Sequence, residues 1–559
     1  MGVFVSKGIM HRPMRQRLVV LSAALSIVSL AVTSPLLGAV AAEASSKVQY
    51  TSTSPAATGT LSSLTWDLPF GEPTTLDYAQ SADYGPDMVT SNLCDSLLRL
   101  NPDFTISPNL ASSWSYGPNH MSLTFNLRSG VKFWDGHPLT STDVVYSMLR
   151  NVNPKVNPVN GAFYANVKSI VASGPLKVVV TFSRPDELFI KEMATISGDV
   201  AEKTFLVAKG ATFGTAKGGV MCSGPFELTA WHPGNNIVLT ANSHYWNTSL
   251  EPKAKKVTLD FITDTSILTS ALKSGEIDGA FEVPSSTLPA LQGSGAGTVY
   301  IGPSLALYDL APTGQGPSVD PKIRQALGMV IDRSALAKQI FHGAATPNYT
   351  LIPKPMGWDP TALSTYQQGW NDLKEPLSPA VSAAKALLKG DPNVSKSITL
   401  GTLATNQNDL DTSTLIQQEA AQIGLHVVVK QLQPLQLSSA FFVAADRKGI
   451  DFLLTAGYLD VRDPLDYLGL IVFPTSIFNY LGFHNATVTS DLAKAQSTFD
   501  PVARASLFNQ AQAIYEAQHI VVPLLNLNEV VFMKKGITGA TTSFAYIYEP
   551  NLATVGAAK

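Results

Sequence analysis

Between residues 398 and 455 the chain alternates short apolar runs with amphipathic ones, and this alternation restricts the fold more than any other feature. Residues 398–403, 425–430 and 451–455 have the length and apolarity of strands. The stretches between them carry helical periodicity, the first ending at Gly424 and the second before Gly449. Short strands joined by such helices pair in parallel, which predicts an α/β unit. At 559 residues the chain is too long for one ordinary core, so two or three compact units are expected.

Upstream, the local signals are equally specific. Residues 121–128 read as a strand with Leu123, Phe125 and Leu127 on one face, followed by a Ser129-Gly130 turn, a second strand at 131–134 and an Asp135-Gly136 turn. A helix then opens at Thr140, with Asp143 at capping-box spacing. Residues 226–240 form a hairpin pattern around Pro233-Gly234. Asp264 is placed to cap a helix carrying Ile267, Leu268, Ala271 and Leu272, which stops before Gly275. Asp320-Pro321 opens another, with Ile323, Ala326, Leu327 and Val330 at helical spacing.

Hydrophobic residues make up 45% and charged residues 14% of the chain, which supports buried cores rather than disorder. A net charge of −3, with no basic run beyond the N-terminus, argues against nucleic acid as a partner. Residues 1–42 have the order of an export signal: Lys7, His11, Arg12, Arg15 and Arg17, then an apolar run over 18–40, then small residues at 39–42. Cleavage after Ala41 or Ala42 is expected, with an uncleaved anchor as the alternative, since the run is about as long as a membrane span. No other apolar stretch has that length. Catalytic signatures are missing: the sequence holds no Gly-x-Ser-x-Gly elbow, no His-Glu-x-x-His, no phosphate-binding Gly-Lys-Ser/Thr loop and no complete Gly-x-Gly-x-x-Gly. The nine histidines are scattered and two cysteines cannot by themselves build a four-ligand zinc site. No enzyme activity, resident metal or cofactor is therefore expected.

Three blocks occur in the order seen in one known family: SWSYGPNHMSLTFNLRSGVKFWDGHPLTSTDVVYSMLR at 113–150, SGPFELTAWHPGNNIVLTANSHYW at 223–246 and DPKIRQALGMVIDRSALAKQIFHG at 320–343. The chain resembles the family 5 extracellular solute-binding proteins, the peptide- and nickel-type receptors of ABC importers, over roughly residues 62–545. The resemblance implies an α/β, bilobal periplasmic-binding-protein-like fold with mixed sheets in each lobe, an extra N-terminal α+β domain and a hinge. Mapped onto this chain, that becomes a signal peptide at 1–42, a linker at 43–60, lobe I at 61–98 and 215–308, domain II at 99–214, lobe III at 309–515 and a return to lobe I at 516–559. The implied function is capture of an oligopeptide or dipeptide in the interlobe cleft, by a periplasmic or extracellular monomer, and delivery to a membrane permease. Alternatives are another cargo on the same scaffold (nickel chelate, oligosaccharide or opine), a secreted hydrolase, or a scaffold turned sensor or adhesin.

Site residues follow from the same resemblance. In GYLDVRDPLDY at 457–467, the family's ammonium-binding aspartate falls on Asp460 and its pocket aromatic on Tyr458, with one residue rather than two between them. A carboxylate suits this role because it accepts charge-assisted hydrogen bonds from an ammonium stripped of water. Asp463 either joins the pocket or caps the following helix, and Arg462 either binds a ligand carboxylate or forms a surface ion pair. Either Tyr308 or Asp309 takes the cleft-facing place of a family asparagine. Trp370, with Trp358 and Tyr366, lies where relatives place pocket loops. The resemblance also puts Cys94 and Cys222 near the junction of two lobes, either as a disulfide or as two buried thiols.

Overall fold

The computed structural model describes residues 49–373 and 379–558, so the export signal expected at 1–42 lies outside the described residues. Most of the local signals form the expected elements. Thr140 and Asp143 make a reciprocal capping box on the helix Ser141–Arg150. Asp264 accepts from the backbone N–H groups of Ser266 and Ile267 to start Thr265–Ser274, and left-handed Gly275 ends it. Asp320 caps Pro321–Val330, whose buried face is Ile323, Ala326, Leu327 and Val330. The second strand expected at 131–134 does not form. A tight turn instead joins the Phe133 N–H to the His137 carbonyl at 2.9 Å, leaving only an isolated Lys132–Pro138 bridge.

Three sheets organise the chain. A mixed eight-stranded sheet runs Gln49–Tyr50, Gly297–Gly302, Glu529–Lys534, Gly279–Ala280, Leu64–Asp67, Lys256–Asp260, Asn236–Ala241, Phe226–His232. A second, of six strands, runs Ala345–Pro347, Val522–Leu527, Ala306–Pro312, Phe452–Tyr458, Ser397–Leu403, His426–Leu432. Its parallel half is the α/β unit expected from residues 398–455. The third is an antiparallel four-stranded sheet of Ala111–Tyr116, Ser122–Leu127, Lys177–Phe182 and Val167–Ala172. This is the mixed α/β, bilobal arrangement with an inserted α+β domain.

Three expected boundaries move, the first being the division at 308/309: Ala306–Pro312 is a single strand of the six-stranded sheet, so the second lobe begins before residue 309. Residues 49–60, expected as part of a solvated linker, are built into the fold. Gln49 and Tyr50 pair in parallel with Tyr300 and Ile301, the Ser54 hydroxyl donates to the Ala540 carbonyl at 2.9 Å, and the Gly59 N–H to the Ala557 carbonyl at 3.1 Å. An Ala/Ser/Thr-rich composition reports weak side-chain burial, but backbone groups of any composition can pair with an open sheet edge. The return to the first lobe also begins later than residue 516. Val522–Leu527 belongs to the six-stranded sheet and Glu529–Lys534 to the eight-stranded one, so the crossing is at Asn528.

Cys94, at the end of the helix Tyr84–Leu93, is bonded to Cys222, with Cα atoms 4.8 Å apart. The bridge spans a sequence separation of 128 residues and closes the base of the excursion that contains the four-stranded sheet. A cross-link around so long a loop removes conformations chiefly from the unfolded chain. The Cys94→Ala/Cys222→Ala double variant is expected to lose about 2–5 kcal/mol of stability, read as a lower midpoint in chemical denaturation. Thiol alkylation of the native protein should label neither cysteine until a reductant is added.

Candidate functional site

The two larger sheets face a cavity of about 1530 Å³. The first lobe contributes residues 67–74, 80–86 and 281–285, and the second contributes 308–312, 403–409 and 454–458, with the segment 465–483 closing one side. The chain passes between the lobes at two adjacent places: Gly302 pairs with Glu529 in one sheet, and Leu307 pairs with Asn526 in the other. Ligand sites commonly form at such junctions, where concave surface is generated without interrupting either core.

Asp460 lies just beyond the strand Phe452–Tyr458, half-buried on the cavity wall. Its Oδ1 accepts from the Tyr548 hydroxyl. Its backbone N–H donates to Asp466 Oδ2 at 2.5 Å, which shapes the turn between the strand and the helix Pro464–Ile471. Carboxylate oxygens of Glu192, Asp460 and Asp466 all lie within 4.8 Å of one another. Burial pushes the Asp460 pKa up to about 6, against the Tyr548 hydrogen bond, which favours the ionised form. Glu192 and Asp466 are raised well above the usual carboxylate range, first by burial and then by neighbouring negative charge, chiefly that of Asp466 on Glu192 and that of Asp460 on Asp466. Both oxygens of the Glu192 carboxyl lack a hydrogen-bond partner among the described residues. Of the three, Asp460 is therefore the group that ionises most readily near neutral pH.

Tyr458 stands beside it in an aromatic cluster, with ring centroids 4.7 Å from Tyr84 and 5.2 Å from Phe544. Tyr308 also lines the cavity and donates its hydroxyl to Asp409 Oδ1 at 2.6 Å. Burial raises the Asp409 pKa to about 7 in spite of that bond. The wall as a whole is acidic. Asp83, Asp264, Glu282, Asp309, Asp409 and Asp460 all line it, whereas Arg184 is the one cationic side chain among the described lining residues.

The other residues singled out in the sequence stand elsewhere. Asp463 caps the helix Pro464–Ile471 through the Leu465 N–H at 3.0 Å, and its outer oxygen meets Lys191 Nζ at 2.7 Å and the Arg504 guanidinium. Capping turns the carboxylate away from the cavity and into a buried ion cluster with Glu187 and Asp359. Burial alone would raise its pKa, but Arg504 and Lys191 outweigh that and hold it below the usual carboxylate range. Arg462 Nε donates to the Met356 carbonyl at 3.2 Å, outside the cavity lining. Trp370 is also outside it, with Lys354 Nζ 3.0 Å above its ring centre. Trp358 and Tyr366 are core residues, stacked with centroids 5.9 Å apart. Asp309, the alternative to Tyr308 at the place of the family asparagine, lines the cavity as well, whereas the sequence did not single out Tyr84, Asp409 or Tyr548.

Residues 105–479 match the profile of the bacterial extracellular solute-binding proteins, family 5 Middle, and the chain belongs to that family. It is 27% identical over 474 residues to the glutathione-binding protein GsiB of Salmonella paratyphi A (strain ATCC 9150 / SARB42), a match covering 83% of this chain and 89% of that one. Among solved structures it is similar to the oligopeptide-binding protein AppA from Bacillus subtilis in complex with a nonapeptide, with TM-score 0.78, 21% identity, and 90% and 100% of the two chains covered. It is also similar to the periplasmic binding protein AgaA from A. tumefacien R10 in complex with agropinic acid, with TM-score 0.77, 23% identity, and coverage of 89% and 99%. These structural likenesses establish the shared bilobal fold. Among the described residues, no helix is long and apolar enough to cross a membrane.

The ion cluster yields a direct expectation. Asp463→Ala would leave two buried cations, Lys191 and Arg504, facing one carboxylate fewer. Breaking a buried pair by removing one partner costs about 3–5 kcal/mol, so this variant should show a clearly lowered denaturation midpoint. Arg462→Ala, which removes a single peripheral hydrogen bond, should change it little.

Proposed function

We propose that the chain captures a short peptide with a free α-ammonium in the cavity between its lobes and passes it to a membrane permease of the ABC type. The observation that carries this is the placement of Asp460: a carboxylate on the cavity wall, beside the Tyr84–Tyr458–Phe544 aromatic cluster, in a surrounding that leaves it ionised near neutral pH. Such a group gives an ammonium the charge-assisted partner it loses when water is excluded. Closure about the paired crossings would strengthen that contact by lowering the local dielectric. Export through residues 1–42 and a monomeric state in the extracytoplasmic space belong to the same proposal.

The acidity of the wall bears on cargo. GsiB is named for binding glutathione, a molecule with two carboxylates and one ammonium. With Arg184 as the one described cationic lining residue, this cavity is poorly furnished to balance two carboxylates, which favours peptides of lower negative charge.

Asp460→Asn is expected to weaken binding of a free peptide by about 2–5 kcal/mol, and N-acetylation of the peptide should weaken binding to the unaltered protein comparably. Calorimetry with both peptides checks this, and equal affinity for the free and acetylated forms would remove Asp460 as the ammonium partner. The pH dependence has a definite sign. A proton and the ammonium compete for the same carboxylate, so affinity should be complete above about pH 6 and fall up to tenfold per unit as pH drops below it. Asp460→Asn should flatten that profile.

A further inference from the structure

Asp309 lies in the strand Ala306–Pro312 at the centre of the second lobe's sheet. It is 2% exposed and belongs to the cavity lining, yet among the described residues no hydrogen-bond or ion-pair partner meets its carboxylate. Asp466, Asp409 and Asp460 all have such partners. Register places it with aromatic groups. Asp309 pairs with Thr455, and Leu307 with Gly457, so all four side-chain positions share one sheet face. A Cβ at Gly457 would collide with the Tyr467 hydroxyl, which places that phenol over the same face. The nearby Asp309 charge raises the Tyr467 pKa further, after burial has already raised it. Beyond Tyr467 the cavity wall continues through Phe478, whose ring centroid is 6.2 Å from both Phe441 and Tyr480.

Buried without a partner at the edge of an aromatic wall, this carboxyl keeps its proton at neutral pH in the empty protein, and a cation arriving beside it would take that proton's place. An isolated buried charge is stabilised when a cation arrives, and aromatic faces attract the same cation through their quadrupoles. Arg447, which borders this wall, is already committed. It lies 4.0 Å over the Tyr480 ring and donates to the Ala440 and Phe441 carbonyls. Burial alone pushes the Asp309 pKa to about 8, as expected where no counter-charge is present.

We propose that Asp309 and the adjoining Tyr467–Tyr480–Phe478 wall form a second cation subsite, which takes the alkylammonium or guanidinium of a basic side chain on the captured peptide. This rests on the peptide-binding function proposed above and adds to it a preference for lysine or arginine at one position. The two carboxylates divide the work: Asp460 meets the N-terminal ammonium and Asp309 the basic side chain.

Penta-alanine, its single-lysine scan and the matching norleucine scan, all with free N-termini, separate these roles by calorimetry on the full chain and on Asp309→Asn. Norleucine keeps the alkyl chain and removes the charge. In the unaltered protein, lysine at one position should bind at least ~10-fold more tightly than norleucine at that position, and in Asp309→Asn that ratio should fall to within about twofold. Lysine and norleucine binding equally at every position of the unaltered protein would overturn the subsite, whether or not the variant folds. So would a lysine preference that survives in a folded Asp309→Asn. Repeating the scan with acetylated peptides distinguishes the two proposals: a lysine preference without sensitivity to acetylation would count against Asp460 alone. Binding of no peptide in the series would overturn both.

Discussion

Everything the cavity does depends on how the chain crosses between its sheets. Gly302 and Glu529 are paired in one sheet, while Leu307 and Asn526 are paired in the other, so two neighbouring antiparallel segments link the lobes, one entering the second and the other returning to the first. Backbone hydrogen bonds on either side hold the ends of both segments, and the few residues between carry the freedom to change angle. A cavity of about 1530 Å³ next to such a junction can change its access to water without either hydrophobic core being rebuilt.

Around that junction the structure treats its acids in two ways. Asp463 is buried where Lys191 and Arg504 neutralise it, so its charge serves cohesion between segments far apart in sequence. Asp460, Asp409 and Asp309 face the cavity, where a hydroxyl partner or none at all is provided. Burial without a protein counter-ion raises the affinity of these groups for a proton, and for the same reason raises their affinity for a cationic guest. The acidic wall is thus a set of carboxyl groups that the fold leaves without counter-ions on the side open to ligand.

Much of the architecture was legible in advance because it rests on short-range patterns. The strand and helix alternation at 398–455, the caps at Thr140, Asp264 and Asp320, and the hairpin around Pro233-Gly234 all depend on residues a few positions apart. Asp460 and Tyr458 were also reachable, through their resemblance to a family motif. Asp463 and Arg462 sat in the same motif and turned elsewhere, because helix capping and a distant ion cluster outweighed sequence proximity to the pocket. The pairing of residues 49–60 is hidden from the sequence for a related reason: their partners lie in distant segments of the chain.

By itself, then, the sequence determined the local elements, their order and the family to which they conform, since periodicity and capping act within a few residues. Tertiary structure alone decided that Cys94 meets Cys222, that Tyr548 reaches Asp460, and that Asp309 is left without a counter-charge beneath Tyr467. Disulfide formation, hydrogen bonding and the cost of burying charge depend on distances through space and on exclusion of water, and neither is set by position along the chain.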